Sequence, residues 1–477
     1  MLLPLLAWAH ALLYATITLW IVVHISSVAH LLWLRARHPP PPLPAPLSGD
    51  DLPVVTVQLP LYNEAPNVEG LLDAVAALDW PAERLEIQVL DDSTDETVAR
   101  VAEKVTALQA AGVDARHVRR QGRAGFKAGA LDHGLETARG TLVAIFDADF
   151  RPRPDFLRRA AAALGPEIGL VQARWSFINP GASVLTRAQA LHLDGHFGLE
   201  QQARSDGGLL MGFNGTAGLW RREAISAGGG WEGDTLTEDL DLSYRVQLAG
   251  WRLRYLDALA VDNELPETIQ AIRSQQHRWI RGGAQVARKL LRRLWAADQP
   301  LRRKLQGTAH LMASTVFLPV LAMCLLSPAL PLLAPSAPAV PQLILGVCGV
   351  LLRGVLGVLV LVFGAVCTIR SGSLLMGLRR LVWDFPAYFA LATAICVHNA
   401  EAAWAGWRGP TGTFVRTPKR GHTRRPGAPR GGELLLMGWS WLGLGVAYLT
   451  DQTGLVVFLM LQAVAFTAWV GLSASRP

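Results

Sequence analysis

Apolar positions fall into three blocks along the chain. Residues 2–34 carry no charge before Arg35 and exceed the roughly 20 residues that a helix needs to cross a bilayer. Between 52 and 281 the apolar runs are short and separated by charged stretches, as in a soluble α/β domain, and from 308 to 470 long apolar runs return. The pattern predicts an anchor, a globular domain and a membrane tail. Within the middle block, 54–59, 85–90 and 142–146 read as buried parallel strands, with helices at 95–111 and 125–138 between them. This is half of a doubly wound nucleotide-binding sheet, whose ligands sit at the carboxyl ends of strands.

Four further spans are expected near 308–333, 342–369, 434–450 and 454–471, five in all with the first. The stretch 378–404 is also apolar but holds Asp384, Pro386, His398, Asn399 and Glu401. Arg379 and Arg380 precede it, and seven basic residues with no acidic one occupy 405–431. Basic flanks stay on the cytoplasmic side, so this helix is expected to lie in the interface or re-enter. Residues 286–307 mix Leu and Trp with Arg and Lys, as a helix lying on the membrane does. The resulting division is an anchor (1–34), a stiff proline-rich linker (35–52), a globular domain (53–285), an amphipathic interfacial helix (286–307) and a membrane region (308–477). The first segment lacks a basic start and a small-residue cleavage site, so it reads as an uncleaved anchor.

Composition narrows the classes. All four cysteines lie in the apolar tail, which leaves the globular part with no disulfide framework or cysteine metal site and fits a reducing, cytoplasmic setting. The net charge of +7 comes from basic residues beside apolar segments, where anionic lipid headgroups attract them; no nucleic-acid module is legible.

The polar motifs fall at the predicted strand ends. Tyr62 and Glu64 follow the first strand, and Asp91 and Asp92 close the second; such carboxylates accept hydrogen bonds from a base and ribose, while the Tyr62 ring can cover the base. A capping box between Ser93 and Glu96 is the alternative for that turn. Asp147-Ala148-Asp149 ends strand four, where two carboxylates suit a hard divalent cation, Mg2+ or Mn2+, that neutralises a diphosphate. Lys127 opens a helix where an ammonium and backbone N–H groups can meet phosphate. Asp239, in Thr237-Glu238-Asp239, is the candidate general base for a sugar hydroxyl, with Glu238 the first alternative; a helix-start role favoured by the dipole competes with it. Gln275 and Arg278 lie one helical turn apart beside Trp279, a set matched to sugar faces and diphosphate, or to a membrane interface.

Taken together these residues resemble glycosyltransferase family 2, the membrane synthases related to cellulose synthase, and within it the glucomannan mannosyltransferase and xyloglucan-backbone glucan synthase group. The likeness runs over 53–285 and rests on Val89 to Asp95, Lys127 to Leu131, Ala144 to Phe150, Val171 to Trp175, Phe213 to Gly218 and Gln275 to Trp279. It implies a GT-A fold (doubly wound, Rossmann-like) beside an α-helical transmembrane bundle, and a divalent cation on the Asp-x-Asp motif. It also implies nucleoside contacts from Asp92 and Glu64, diphosphate at Asp147, metal at Asp149 and proton removal by Asp239. Phe213, Asn214 and Gly215 match an acceptor-lining segment, and Trp279 an aromatic that stacks on the acceptor sugar. Phe414-x-Arg416-Thr417-x-Lys419 resembles a gating loop that covers the nucleotide, with Arg416 where the family has Val. The expected activity is inverting hexosyl transfer from UDP-glucose or GDP-mannose to a β-linked glycan at the cytoplasmic membrane face. Single transfer to a lipid acceptor is the alternative, and a silent scaffold or transporter is disfavoured by the intact Asp92, Asp147, Asp149, Asp239 and Trp279.

Overall fold

The computed structural model describes residues 2–49, 51–333, 335, 337–409 and 431–474. Seven strands form one mixed sheet in the order β3-β2-β1-β4-β6-β5-β7. β1 (Val55–Leu61), β2 (Leu85–Asp91), β3 (Ala115–Val118) and β4 (Leu142–Ile145) run parallel, as the buried apolar runs require. β6 (Gly218–Arg221) runs antiparallel between β4 and β5 (Ile168–Phe177), and β5 pairs in parallel with β7 (Arg252–Asn263). β5 to β7 escaped the sequence reading, which placed only β1, β2 and β4.

This order has a direct consequence for function. β2, β1 and β4 are neighbours, so the segments after Asp91, Leu61 and Ile145 emerge side by side. Because β6 is antiparallel, the chain entering it, Phe213 to Ala217, arrives at the same edge. One core lies on each face of the sheet, the first around Val57, Leu59, Ile87 and Phe146, the second around Leu131, Ile145, Phe213 and Trp220.

The expected helices occupy Thr97–Ala110 and Phe126–Thr137. The Ser93–Glu96 capping box does not form: the Ser93 hydroxyl accepts from the Asn63 amide at 2.8 Å, and Asp95 accepts from the Thr97 amide. The basic stretch after 285 is likewise not one surface helix. Helix Ile269–Ala296 runs through position 285 without a break, and a second helix, Leu301–Leu311, starts after Pro300.

Among the described residues five helices are long and apolar enough to cross a membrane: Leu3–Arg37, Leu301–Leu333, Ala339–Ser371, Gly431–Leu449 and Thr453–Ser473. Leu374–Ala394 and Cys396–Arg408 form a pair bent by 52° at Ile395, compatible with a broken span or a re-entrant loop. The four cysteines are free and buried.

Candidate functional site

At the end of β1, Asn63 adopts a left-handed backbone (φ 56°) and ties two turns together, its side chain accepting from the Thr94 amide at 2.9 Å. Asp91 was expected to meet a nucleotide, but it is 2% exposed and its oxygens serve the protein. One accepts from the Ser93 amide at 2.9 Å and the other lies 2.8 Å from His117 Nε2. Burial opposes its charge, yet His117 and Ser93 hold its pKa below the ordinary aspartate value. Asp91 therefore organises the turn. Asp92 is clamped by Arg120, whose Nε and Nη2 donate to its two oxygens at 2.9 and 2.7 Å. Arg120 also donates to the carbonyls of Ala124 and Phe126, joining β2 to the next helix. The Arg123 guanidinium lies 3.3 Å from the Tyr62 ring centroid. Glu64 accepts from Asn67 Nδ2 at 2.9 Å. The two arginines were not singled out from sequence, although the basic run 116–123 stands beside a predicted strand end.

Asp147 and Asp149 flank the buried Ala148 and point away from the core. Lys127 Nζ donates to Asp147 Oδ1 at 2.5 Å and to the Gly215 carbonyl at 2.9 Å. Burial would lower the Lys127 pKa, but Asp147, Glu238 and Asp239 raise it above the ordinary lysine value. Lys127 thus lies against a carboxylate of the Asp-x-Asp motif. Three of the four described non-glycine residues with left-handed backbone, Asn63, Phe126 and Ala217, border this site, where strain is commonly held by surrounding structure. Two carboxylates on one strand end offer the hard oxygen ligands a divalent cation takes, so the donor set fits such an ion.

Across from them, helix Glu238–Leu248 begins with Glu238 and Asp239. Asp239 accepts from the Leu240 amide at 2.8 Å, and Gly215 packs against it: a Cβ there would stand 3.0 Å from Asp239 Oδ2. Burial, Glu238 and Asp147 push the Asp239 pKa up to about 7, against the pull of Lys127 and the Leu240 N–H. Burial raises Glu238 as well, Lys127 and Arg278 opposing, and the two carboxylates titrate as a pair. Arg278 is electrostatically coupled to Asp147, Glu238, Asp239 and Asp149, with burial lowering its pKa. Trp279 packs at 6.4 Å from the Trp175 ring, itself 5.3 Å from Phe150 and Phe197. Gln275 is partly exposed one turn before Arg278.

The 213–215 segment divides by residue. The Phe213 ring is 2% exposed against Trp220, so its side chain belongs to the core, and its amide donates to Ser243 Oγ at 2.7 Å. Asn214 is held by Gln172, Gln201 and His196. Gly215 alone of the three stands against Lys127 and Asp239. Thr417 and Lys419 lie outside the described residues.

Sequence reading also missed what holds the two halves together. Gly282 lets helix Ile269–Ala296 lie on the segment before Asp239, where a Cβ would stand 2.6 Å from Thr237 Cγ2. Gln285 accepts from the Leu236 amide at 2.9 Å. Glu232, Asp234 and Asp241 come close enough to suggest a second metal centre, but the Lys289 ammonium sits among them at 2.6, 2.7 and 3.1 Å and Arg245 pairs with Asp241 at 2.8 Å, so the protein's own cations offset most of the cluster's charge.

Comparison with known proteins places this geometry. The family described as Glycosyltransferase like family 2 matches residues 53–282. Glucomannan 4-beta-mannosyltransferase 2 of Arabidopsis thaliana is 47% identical over 251 residues, covering 51% of this chain and 47% of the relative. Probable glucomannan 4-beta-mannosyltransferase 7 of Oryza sativa subsp. japonica is 40% identical over 320 residues, covering 64% and 54%. The chain thus spans about half the length of the curated relatives it matches. A solved mannosyltransferase, PcManGT from Pyrobaculum calidifontis in complex with GDP-Man and Mn2+, has the same fold, with 21% identity, a TM-score of 0.55, and coverage of 83% of this chain and 99% of that one. Through residues 53–282, this chain belongs to glycosyltransferase family 2.

Proposed function

We propose that the chain is a membrane-embedded, metal-dependent, inverting mannosyltransferase that moves mannose from GDP-mannose to a growing β-linked glycan. The observation that carries the reading is the placement of Asp239, with its pKa near 7, against Gly215 and opposite Lys127, Asp147 and Arg278. Such a base is partly ionised at neutral pH and strong enough to take a proton from a sugar hydroxyl. The names of the plant relatives favour mannose over glucose and a β-linked glycan over a lipid acceptor.

In this mechanism Asp147 and Asp149 hold a divalent cation, which supplies charge neutralisation for the donor diphosphate. Tyr62, Glu64 and Asp92 face the nucleoside. The acceptor hydroxyl oxygen attacks the anomeric carbon as its proton passes to Asp239. The bond from that carbon to the diphosphate oxygen breaks, and Lys127 and Arg278 face the charge that collects there. Trp279 supports the acceptor sugar. Thr417 and Lys419 cover the nucleotide in this reading. The globular domain, 53–285, and the basic stretch 405–431 share the cytoplasmic face, with lipid headgroups against the basic flanks.

The test is purified full-length protein in detergent with GDP-mannose or UDP-glucose, with and without Mn2+ or Mg2+, scored for nucleotide release and product length. GDP release only with metal and a product of many sugars are expected. Preference for UDP-glucose would replace the donor, a single lipid-linked sugar would replace the acceptor, and strong release without metal would remove the Asp-x-Asp assignment.

A further inference from the structure

Helix Val184–Gly195 continues into a π-helical turn, His196–Gln201. Single π-turns recur where a helix must aim side chains that regular geometry would misplace. Membrane helices grip this one. A Cβ at Gly195 would meet the Phe363 ring at 3.2 Å and one at Gly198 the Arg370 guanidinium at 2.9 Å, while the Gly198 carbonyl accepts from Arg35 Nε at 3.3 Å. The opposite side of the turn reaches the chain before β6. Gln201 Nε2 donates to the Gly212 carbonyl at 2.7 Å and to Asn214 Oδ1 at 2.5 Å.

With Oδ1 taken, Asn214 must present its NH2 to His196 Nε2, 2.8 Å away. His196 Nε2 is therefore the acceptor, and its ring proton sits on Nδ1, facing Glu200 Oε2 at 3.5 Å. Burial opposes charge on Glu200, but the His196 N–H and the Arg204 guanidinium hold its pKa below the ordinary glutamate value, so it stays ionised and keeps that tautomer. The Asn214 amide is also fixed, donating to Gln172 Oε1 at 2.9 Å. One residue on, Gly215 (φ +82°) gives its carbonyl to Lys127 and its face to Asp239.

We propose that His196 and Glu200 are positioning residues for transfer: together they hold Asn214 so that Gly215 stands against Asp239, which makes the π-turn the link between the membrane helices and the acceptor side of the site. The proposal rests on the transferase reading for its kinetic consequence but not for its geometry. Neither residue needs to touch substrate. Glu200 acts through the tautomer of His196, since a glutamine at 200 can donate to Nδ1, move the ring proton to Nε2 and set two donors against each other at Asn214.

The test compares His196→Ala, His196→Gln and Glu200→Gln with wild type, all full-length in detergent. Amide hydrogen exchange across 209–217 is read without turnover. GDP binding with Mn2+, and transfer from GDP-mannose to a β-1,4-manno-oligosaccharide, are read separately. His196→Ala and Glu200→Gln are expected to speed exchange at 212–216 at least tenfold. They should also lower kcat/KM for the oligosaccharide at least tenfold, while GDP affinity stays within about twofold. His196→Gln, whose Oε1 reaches the place of Nε2 and so keeps an acceptor for the Asn214 NH2, should recover most of both effects. Wild-type exchange in His196→Ala, no rescue by glutamine, or parallel loss of GDP binding would each overturn the proposal. If wild type binds GDP but transfers nothing, the transferase reading fails while the exchange data still decide the positioning.

Discussion

Two carboxylates that look equivalent in sequence have different environments, and substitution should separate them. Asp147 sits with Asp149 at the end of β4, so Asp147→Asn is expected to abolish metal-dependent GDP binding and transfer together. Asp239→Asn should bind GDP in calorimetry near wild-type affinity yet lose about 10² to 10⁴ in rate, the usual cost of a missing general base. Near-normal transfer would shift the role to Glu238. The pH dependence has a definite sign. A base must be deprotonated, and with the Asp239 pKa at about 7, kcat/KM should fall about tenfold per unit below that value. Stability runs the other way. Below an unfolded pKa of about 3.9 the group is protonated in both states. Between there and about 7 the folded state binds more protons, so stability declines as pH rises, and the loss is complete above 7. Asp239→Asn removes that loss, and its melting temperature should exceed wild type by a few degrees at pH 8, the gap closing toward pH 4. An unchanged gap across this range would mean that Asp239 ionises normally. Little of this was legible in the motifs themselves. The Asp-x-Asp and Thr-Glu-Asp signals located the carboxylates, but Asp91 and Asp92 looked alike until the fold showed one bonded to His117 and Ser93 and the other clamped by Arg120.

At the scale of elements, helix Ile269–Ala296 brings Arg278 to the carboxylates, and Trp279 to the Trp175 ring, because its flank lies directly on the chain before Asp239. Gly282→Ala should displace the helix, since the new methyl would overlap Thr237. A loss of tenfold or more in kcat, with folding retained in thermal scans, is expected; wild-type kcat would show that the helix position is set elsewhere. The same helix is tied to the membrane tail by a buried pair, Arg273 with both oxygens of Glu433 at 2.7 Å. Glu433→Ala leaves a buried guanidinium uncompensated and should cost about 3–5 kcal/mol. A thermal or denaturant shift well under 1 kcal/mol would show that Arg273 finds water or another partner. Sequence periodicity marked the start and polarity of such elements but not their junctions. The continuity through 285 goes with packing against Thr237 and Leu236, residues remote in sequence, whereas the break before 301 falls at Pro300.

At the scale of the molecule, the bent pair Leu374–Ala394 and Cys396–Arg408 decides the topology. If it re-enters, Ser48 and Gly431 face the same compartment. Cysteines placed at these two positions, both exposed, should label from the same side of sealed vesicles; opposite labelling would make the pair a sixth crossing. The chain's own residues determined its broad plan. Long uncharged runs suit lipid, and short β-branched runs between helical stretches suit buried parallel strands, so the membrane blocks, the α/β domain and the carboxylates at strand ends followed from local chemistry. Tertiary structure alone decided how these parts meet. The antiparallel insertion of β6, the π-turn that carries His196 and Glu200, and the glycine contacts that admit one helix onto another all depend on pairings between distant residues. Hydrophobic periodicity describes which face of an element is buried, but it holds no information about which partner buries it.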